Sequence, residues 1–103
     1  VNVLRLQDIF PIGTPDSEWL PEVGRQRWLL VSKDDRIRRR EIERRALIVA
    51  GVRAIFYEEA TLTAAQMVEA FRLGLPRISR LISKLEPPFV LRLGKTGRVK
   101  RLL

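Results

Sequence analysis

The residues in this sequence best suited to chemistry are two acidic steps set in a basic chain. The segment Thr14-Pro15-Asp16-Ser17-Glu18-Trp19-Leu20 carries the first, and Val31-Ser32-Lys33-Asp34-Asp35-Arg36-Ile37 carries the second. Asp16 and Glu18 fall at an expected helix start. Asp34 and Asp35 fall where an apolar strand ends, the position at which open α/β sheets place ligand-binding groups. Arginines follow at once, at Arg36, Arg38, Arg39, Arg40, Arg44 and Arg45. Carboxylates can hold a divalent cation and guanidinium groups can hold phosphates, so the combination matches metal-assisted cleavage of a polyanion. Each feature also has a purely structural explanation. Acids in a first helical turn complement the helix dipole by roughly 0.3–1 kcal/mol, Asp34 or Asp35 can cap a helix, and Glu41 and Glu43 can pair with arginines at helical spacing. Glu58 and Glu59 repeat the acidic step one strand later and read as solvated loop residues.

The 103 residues, 46% of them apolar, are enough for one domain spanning 1–103 around one modest core. Twenty Lys and Arg against twelve Asp and Glu leave a formal charge of +8, which favours RNA, DNA or an acidic protein as partner. The chain has no cysteine and no histidine, which excludes disulfides, thiolate or imidazole metal ligands and cysteine nucleophiles. Hydrolysis would have to rest on carboxylates, hydroxyls, lysine or a bound metal. No apolar run reaches the roughly 18–20 residues of a membrane span, and the N-terminus lacks a signal-peptide pattern, so a cytoplasmic protein without membrane contact is expected.

The elements that must position these groups follow from periodicity. Val1–Leu6 reads as a strand, with Pro11 and Gly13 as loop punctuation. Thr14 reads as an N-cap with Pro15 at the first helical position, opening a short helix that Pro21 interrupts and Gly24 ends. The apolar run Trp28–Val31 predicts a strand buried on both faces of a parallel sheet. A helix over 35–50 turns Ile37, Ile42, Ala46, Val49 and Ala50 inward and stops at Gly51. Val52–Tyr57 is the next strand. Thr63 and Gln66 form a capping box, opening a helix whose stripe is Met67, Phe71, Leu75, Ile78, Ile82 and Leu85, kinked at Pro76 and stopped by Pro87-Pro88. Phe89–Leu93 and Val99–Leu102 flank a hairpin turn at Lys95-Thr96-Gly97. Trp19 and Trp28 read as core. The order predicts an α/β domain, mainly parallel sheet flanked by helices, ending in an antiparallel hairpin. Right-handed crossovers bring Asp16, Glu18, Asp34 and the Glu58-Glu59 step to one edge of it.

Pro15-Asp16-Ser17-Glu18-Trp19-Leu20-Pro21-Glu22, Trp28-Leu29-Leu30-Val31-Ser32-Lys33-Asp34 and Arg36-Ile37-Arg38-Arg39 closely resemble the PIN-like domain of VapC-type toxins. Ala50-Gly51-Val52, Leu62-Thr63, Met67 to Phe71 and Pro87-Pro88-Phe89 extend the resemblance over nearly the whole chain. It implies a three-layer α/β fold and a Mg²⁺- or Mn²⁺-dependent endoribonuclease. By motif, Asp34 and Asp16 are implied as metal ligands, with Asp35 a weaker candidate, and Glu18 as a group that orients water or a second ion. Lys33, Arg36, Arg38, Arg39 and Arg40, beside the acidic edge, are the expected RNA contacts from their own chemistry, and a cognate antitoxin is the protein partner that the resemblance implies. Such domains open with an aspartate-bearing strand and a helix, which would precede Val1. The expectation is therefore that this chain associates with another copy or with a missing N-terminal segment, and that alone it cleaves weakly or not at all. The competing expectation is an inactive nucleic-acid-binding or antitoxin-binding module that keeps only the basic surface.

Overall fold

A computed structural model of the chain describes residues 16–32, 41–59 and 61–102. The expected strand Val1–Leu6, the cap at Thr14 and Pro15, and the first part of the expected helix over 35–50 lie outside the described residues.

Helix α1, Asp16–Arg25, runs through both residues expected to break it. Pro21 lacks an N–H, but it stands in the second turn, where one lost bond leaves the helix held by the burial of Trp19, Leu20 and Val23. Gly24 is a packing residue, since a Cβ there would stand 1.9 Å from the Ala50 carbonyl oxygen of the neighbouring helix. α1 closes in a Schellman turn: Arg27 N–H donates to Gly24 O and Trp28 N–H to Val23 O, with Arg27 at φ 58°. An arginine in the left-handed region costs about 1–2 kcal/mol. Arg27→Gly is therefore expected to raise stability by about 1 kcal/mol, read as a higher denaturation midpoint, because the carbonyl that accepts a 2.8 Å bond from Arg53 Nη2 is retained.

Strand β1, Leu29–Ser32, leads towards helix α2, Glu41–Ala50, which ends in the same turn with Gly51 at φ 68°. There Gly51 N–H donates to Ile48 O and Val52 N–H to Leu47 O. Leu47 is 1% exposed and faces the sheet, whereas Val49, expected inward, is 88% exposed. Two residues at 100° per step put it on the opposite side from Leu47. Strand β2, Arg53–Tyr57, follows. Helix α3, Ala64–Lys84, opens with the expected capping box: Gln66 N–H donates to Thr63 Oγ1 at 3.2 Å and Thr63 N–H to Gln66 Oε1 at 2.9 Å. It continues past Pro76 and stops before Pro87-Pro88. Its buried residues are Ala70, Gly74 and Ile78, while Leu75, expected in the stripe, sits on the flank and is exposed. Small Gly74 lets the helix close on Leu93, Gly97 and Val99 of the hairpin.

Strands β3, Phe89–Leu93, and β4, Val99–Arg101, complete a sheet of order β1-β2-β3-β4. β1, β2 and β3 are parallel, and β4 is antiparallel to β3. Alternation along the strands makes two cores. One joins Ala54, Phe56 and Val90 to α1 and α2; the other joins Ile55, Phe89, Leu91 and Leu93 to α3. The result is the expected three-layer α/β arrangement. The strands buried on both faces are β2 and β3, however, not β1. Among the described residues β1 has a neighbour on one side only, and Val31 is 40% exposed. No described helix is long and apolar enough to cross a membrane.

Candidate functional site

The parallel strands finish at Ser32, Tyr57 and Leu93, which defines the carboxyl edge of the sheet. α1 returns into β1 through a turn pinned by Arg53, the first residue of β2, so the C-terminus of α1 lies at the opposite edge. Its first turn, with Asp16 and the exposed Glu18, therefore points towards the carboxyl edge. α2 meets α1 where Gly24 touches Ala50, so the N-terminus of α2 is directed the same way. Helix N-termini carry partial positive charge, which suits anionic groups gathered there.

Of the residues expected to bind metal, water or RNA, Asp16, through its backbone, and Glu18 are described. Lys33, Asp34, Asp35, Arg36, Arg38, Arg39 and Arg40 lie outside the described residues. Ser32, from which that segment departs, is paired in register with Phe56, and Glu58 stands two residues beyond Phe56. Among the described residues no three acidic side chains gather closely enough to hold a metal ion. Without histidine or cysteine, any metal donors of this chain are oxygens, a set that suits Mg²⁺ or Mn²⁺.

At the described carboxyl edge Glu58, expected there from the sequence, meets groups that the sequence motifs did not join to it. Glu58 N–H donates to Leu93 O at 2.9 Å, prolonging the β2–β3 pairing by one step. The Glu58 carboxylate, about half exposed, sits 3.7 Å from Arg92 Nη2 and over Gly94, where a Cβ would stand 3.0 Å from Glu58 Oε2. That same Cβ would stand 3.7 Å from the Cβ of Arg98. Glu58, Arg92, Gly94 and Arg98 thus share one face of the sheet, the face covered over β1 and β2 by α1 and α2. Their signal in the sequence was the period of two along β2 and β3; the grouping itself came from the register.

Away from this edge, an apolar hollow of about 540 Å³ lies between α1 and α2, lined by Pro21, Gly24, Arg25, Arg45, Ala46, Val49 and Ala50. Both its arginines are engaged, Arg25 with Glu22 and Arg45 with Glu41 at 3.1 Å. It offers no carboxylate.

The sequence model of a family described as PIN like domain matches residues 1–59, more than half of the chain. That span holds both acidic steps, the arginine run and the elements α1 to β2. No curated protein and no solved structure matches.

Proposed function

From the premise that the chain belongs to the PIN like domain family, we propose that it is a metal-dependent endoribonuclease of the VapC-toxin type. One observation carries the reading: the family match covers Asp16, Glu18, Asp34 and Asp35 together with the arginines that follow them. Asp16, Asp34 and Asp35 would hold Mg²⁺ or Mn²⁺, which when bound would activate water and offset charge on a scissile phosphate. Glu18 orients the attacking water. Lys33, Arg36, Arg38, Arg39 and Arg40 bind the flanking phosphates, arginine serving best because its fork matches two phosphate oxygens.

The proposal extends to a cytoplasmic setting, neutralisation by a cognate antitoxin, and pairing along the side of β1 that has no neighbour among the described residues. A strand from a second copy or from an N-terminal segment would satisfy the backbone groups of that edge and cover Val31. The test is incubation of a defined RNA with the full chain, supplied with Mg²⁺ or Mn²⁺ and compared with the same mixture in EDTA. Fragments that appear only with the metal are expected. Retention of the RNA without cleavage in either mixture would replace the nuclease with a binding module.

A further inference from the structure

The β3–β4 hairpin lies beyond residues 1–59 and concentrates positive charge. From Arg72 to Leu102 there are nine Lys and Arg against a single acid, Glu86. Three of these cations share one face. The register pairs Arg92 with Lys100 directly across β3 and β4. Arg98, two residues before Lys100, lies on the same side, its Cβ facing the bare Cα of Gly94. Arg92 in turn is level with Phe56, which is buried beneath α1 and α2. Arg92 therefore stands at the rim of the helical layer, and Lys100 and Arg98 stand on the exposed sheet face beside it.

Two like charges directly opposite across an antiparallel pair repel each other. The nearest described counter-charge is Glu58, which reaches Arg92 but leaves Arg98 and Lys100 without an ion pair among the described residues. Gly94 is buried beneath this cluster, and its missing side chain lets the Glu58 carboxylate and Arg98 close over the start of the hairpin turn. The cluster lies at the carboxyl edge and on the same face as the first turn of α1.

We propose that Arg92, Arg98 and Lys100, gathered on one face by the β3–β4 register, bind phosphates of a single-stranded RNA and lead the strand across the β3–β4 face from the carboxyl edge. An acidic protein is the less fitting occupant. Protein interfaces have an apolar centre depleted of charge, and the exposed surface of this face at Arg98 and Lys100 is charged. The inference goes beyond the nuclease reading, because phosphate binding here needs neither metal nor cleavage.

The experiment measures RNA binding by fluorescence anisotropy in EDTA, over a series of salt concentrations, with the full chain. The probe is a labelled single-stranded RNA of mixed sequence. Arg92→Gln/Arg98→Gln/Lys100→Gln is compared with Arg77→Gln/Arg80→Gln/Lys84→Gln, which removes the same charge from exposed positions on α3, across the sheet. At roughly 0.7 per phosphate in single strands, losing three contacts should lower the slope of log K against log salt by about 2, with affinity at 0.1 M salt down about tenfold or more. The α3 variant should change the slope far less. Equal losses in both variants would show that diffuse charge is responsible and overturn the proposal, as would an unchanged slope in the hairpin variant. A polyglutamate peptide binding as tightly as the RNA, and released by the same hairpin substitutions, would overturn it in favour of an acidic protein. Arg98→Gln/Lys100→Gln leaves the Glu58–Arg92 pair intact and keeps the test decisive if the triple variant melts early, with a slope change of about 1.4 expected. If cleavage fails while this binding loss appears, the hairpin site stands and the nuclease reading falls; the reverse result separates them the other way.

Discussion

Gly24→Ala is expected to destabilise the protein by about 3 kcal/mol, at the upper end of overpacking costs, which corresponds to a melting temperature lower by roughly 12–24 °C in a domain of this size. Helix propensity alone predicts the opposite sign, because alanine is better than glycine in a helix interior by roughly 0.5–1 kcal/mol. Packing wins because the added methyl would meet the Ala50 carbonyl at 1.9 Å, and the obstacle is backbone rather than a movable side chain end. Relief requires α1 and α2 to separate. That would strip contacts from Trp19, Leu20, Val23 and Leu47, all nearly fully buried. Gly51→Ala is the natural comparison. Nothing lies within 4 Å of its missing Cβ, so only its positive φ is costly, and about 1 kcal/mol is expected. Thermal denaturation of both variants decides the matter, and a Gly24→Ala protein as stable as the parent would mean the two helices are not in contact there.

Asp34→Asn should lower metal-dependent RNA cleavage by on the order of a hundredfold or more, if the proposed oxygen-donor site is real. The change keeps the size and shape of the side chain and removes its charge. Asp16→Asn should act in the same direction, and Glu18→Gln less, since a water-orienting group can be partly replaced by an amide. Binding of RNA in EDTA should be unchanged or tighter in Asp34→Asn, because a negative charge beside the phosphates has gone. Cleavage time courses at saturating Mn²⁺, paired with anisotropy in EDTA, separate a chemical defect from a binding one. Cleavage undiminished in Asp34→Asn would remove this residue from the site and with it the motif on which the proposed function turns. The two predictions probe different layers of the protein: one the helix pair that aims α1, the other the segment leaving β1 at the edge to which α1 points.

Local pattern was enough to place several elements. Thr63 and Gln66 announced the start of α3, because a capping box satisfies helix donors within four residues. Gly51 announced the end of α2, because only its left-handed conformation matters there. The parallel-then-antiparallel order also followed from the sequence, since a helix between strands demands a crossover and Lys95-Thr96-Gly97 allows only a hairpin. Where side chains compete for a face, the sequence was ambiguous. Val49 and Leu75 have the hydrophobicity of core residues, yet Leu47 and Gly74 hold the inward positions, since only the packed neighbour decides which side of a helix is covered.

Glycines show the same division. Gly24 read as a helix terminator because glycine disfavours helices, and the close approach of Ala50 that accounts for it exists only once α1 and α2 are packed. Pro21 read as a break for a similar local reason, which the burial of Trp19 and Leu20 outweighs. The acidic motifs and the basic charge were legible from residue types and spacing alone, because carboxylates and guanidinium groups carry their chemistry wherever they stand. That Glu58, Arg92, Arg98 and Lys100 gather on one face at the carboxyl edge was not legible. Residues 58 and 92 are joined by strand register, and register is set by how β2, β3 and β4 align through backbone hydrogen bonds over a shared core.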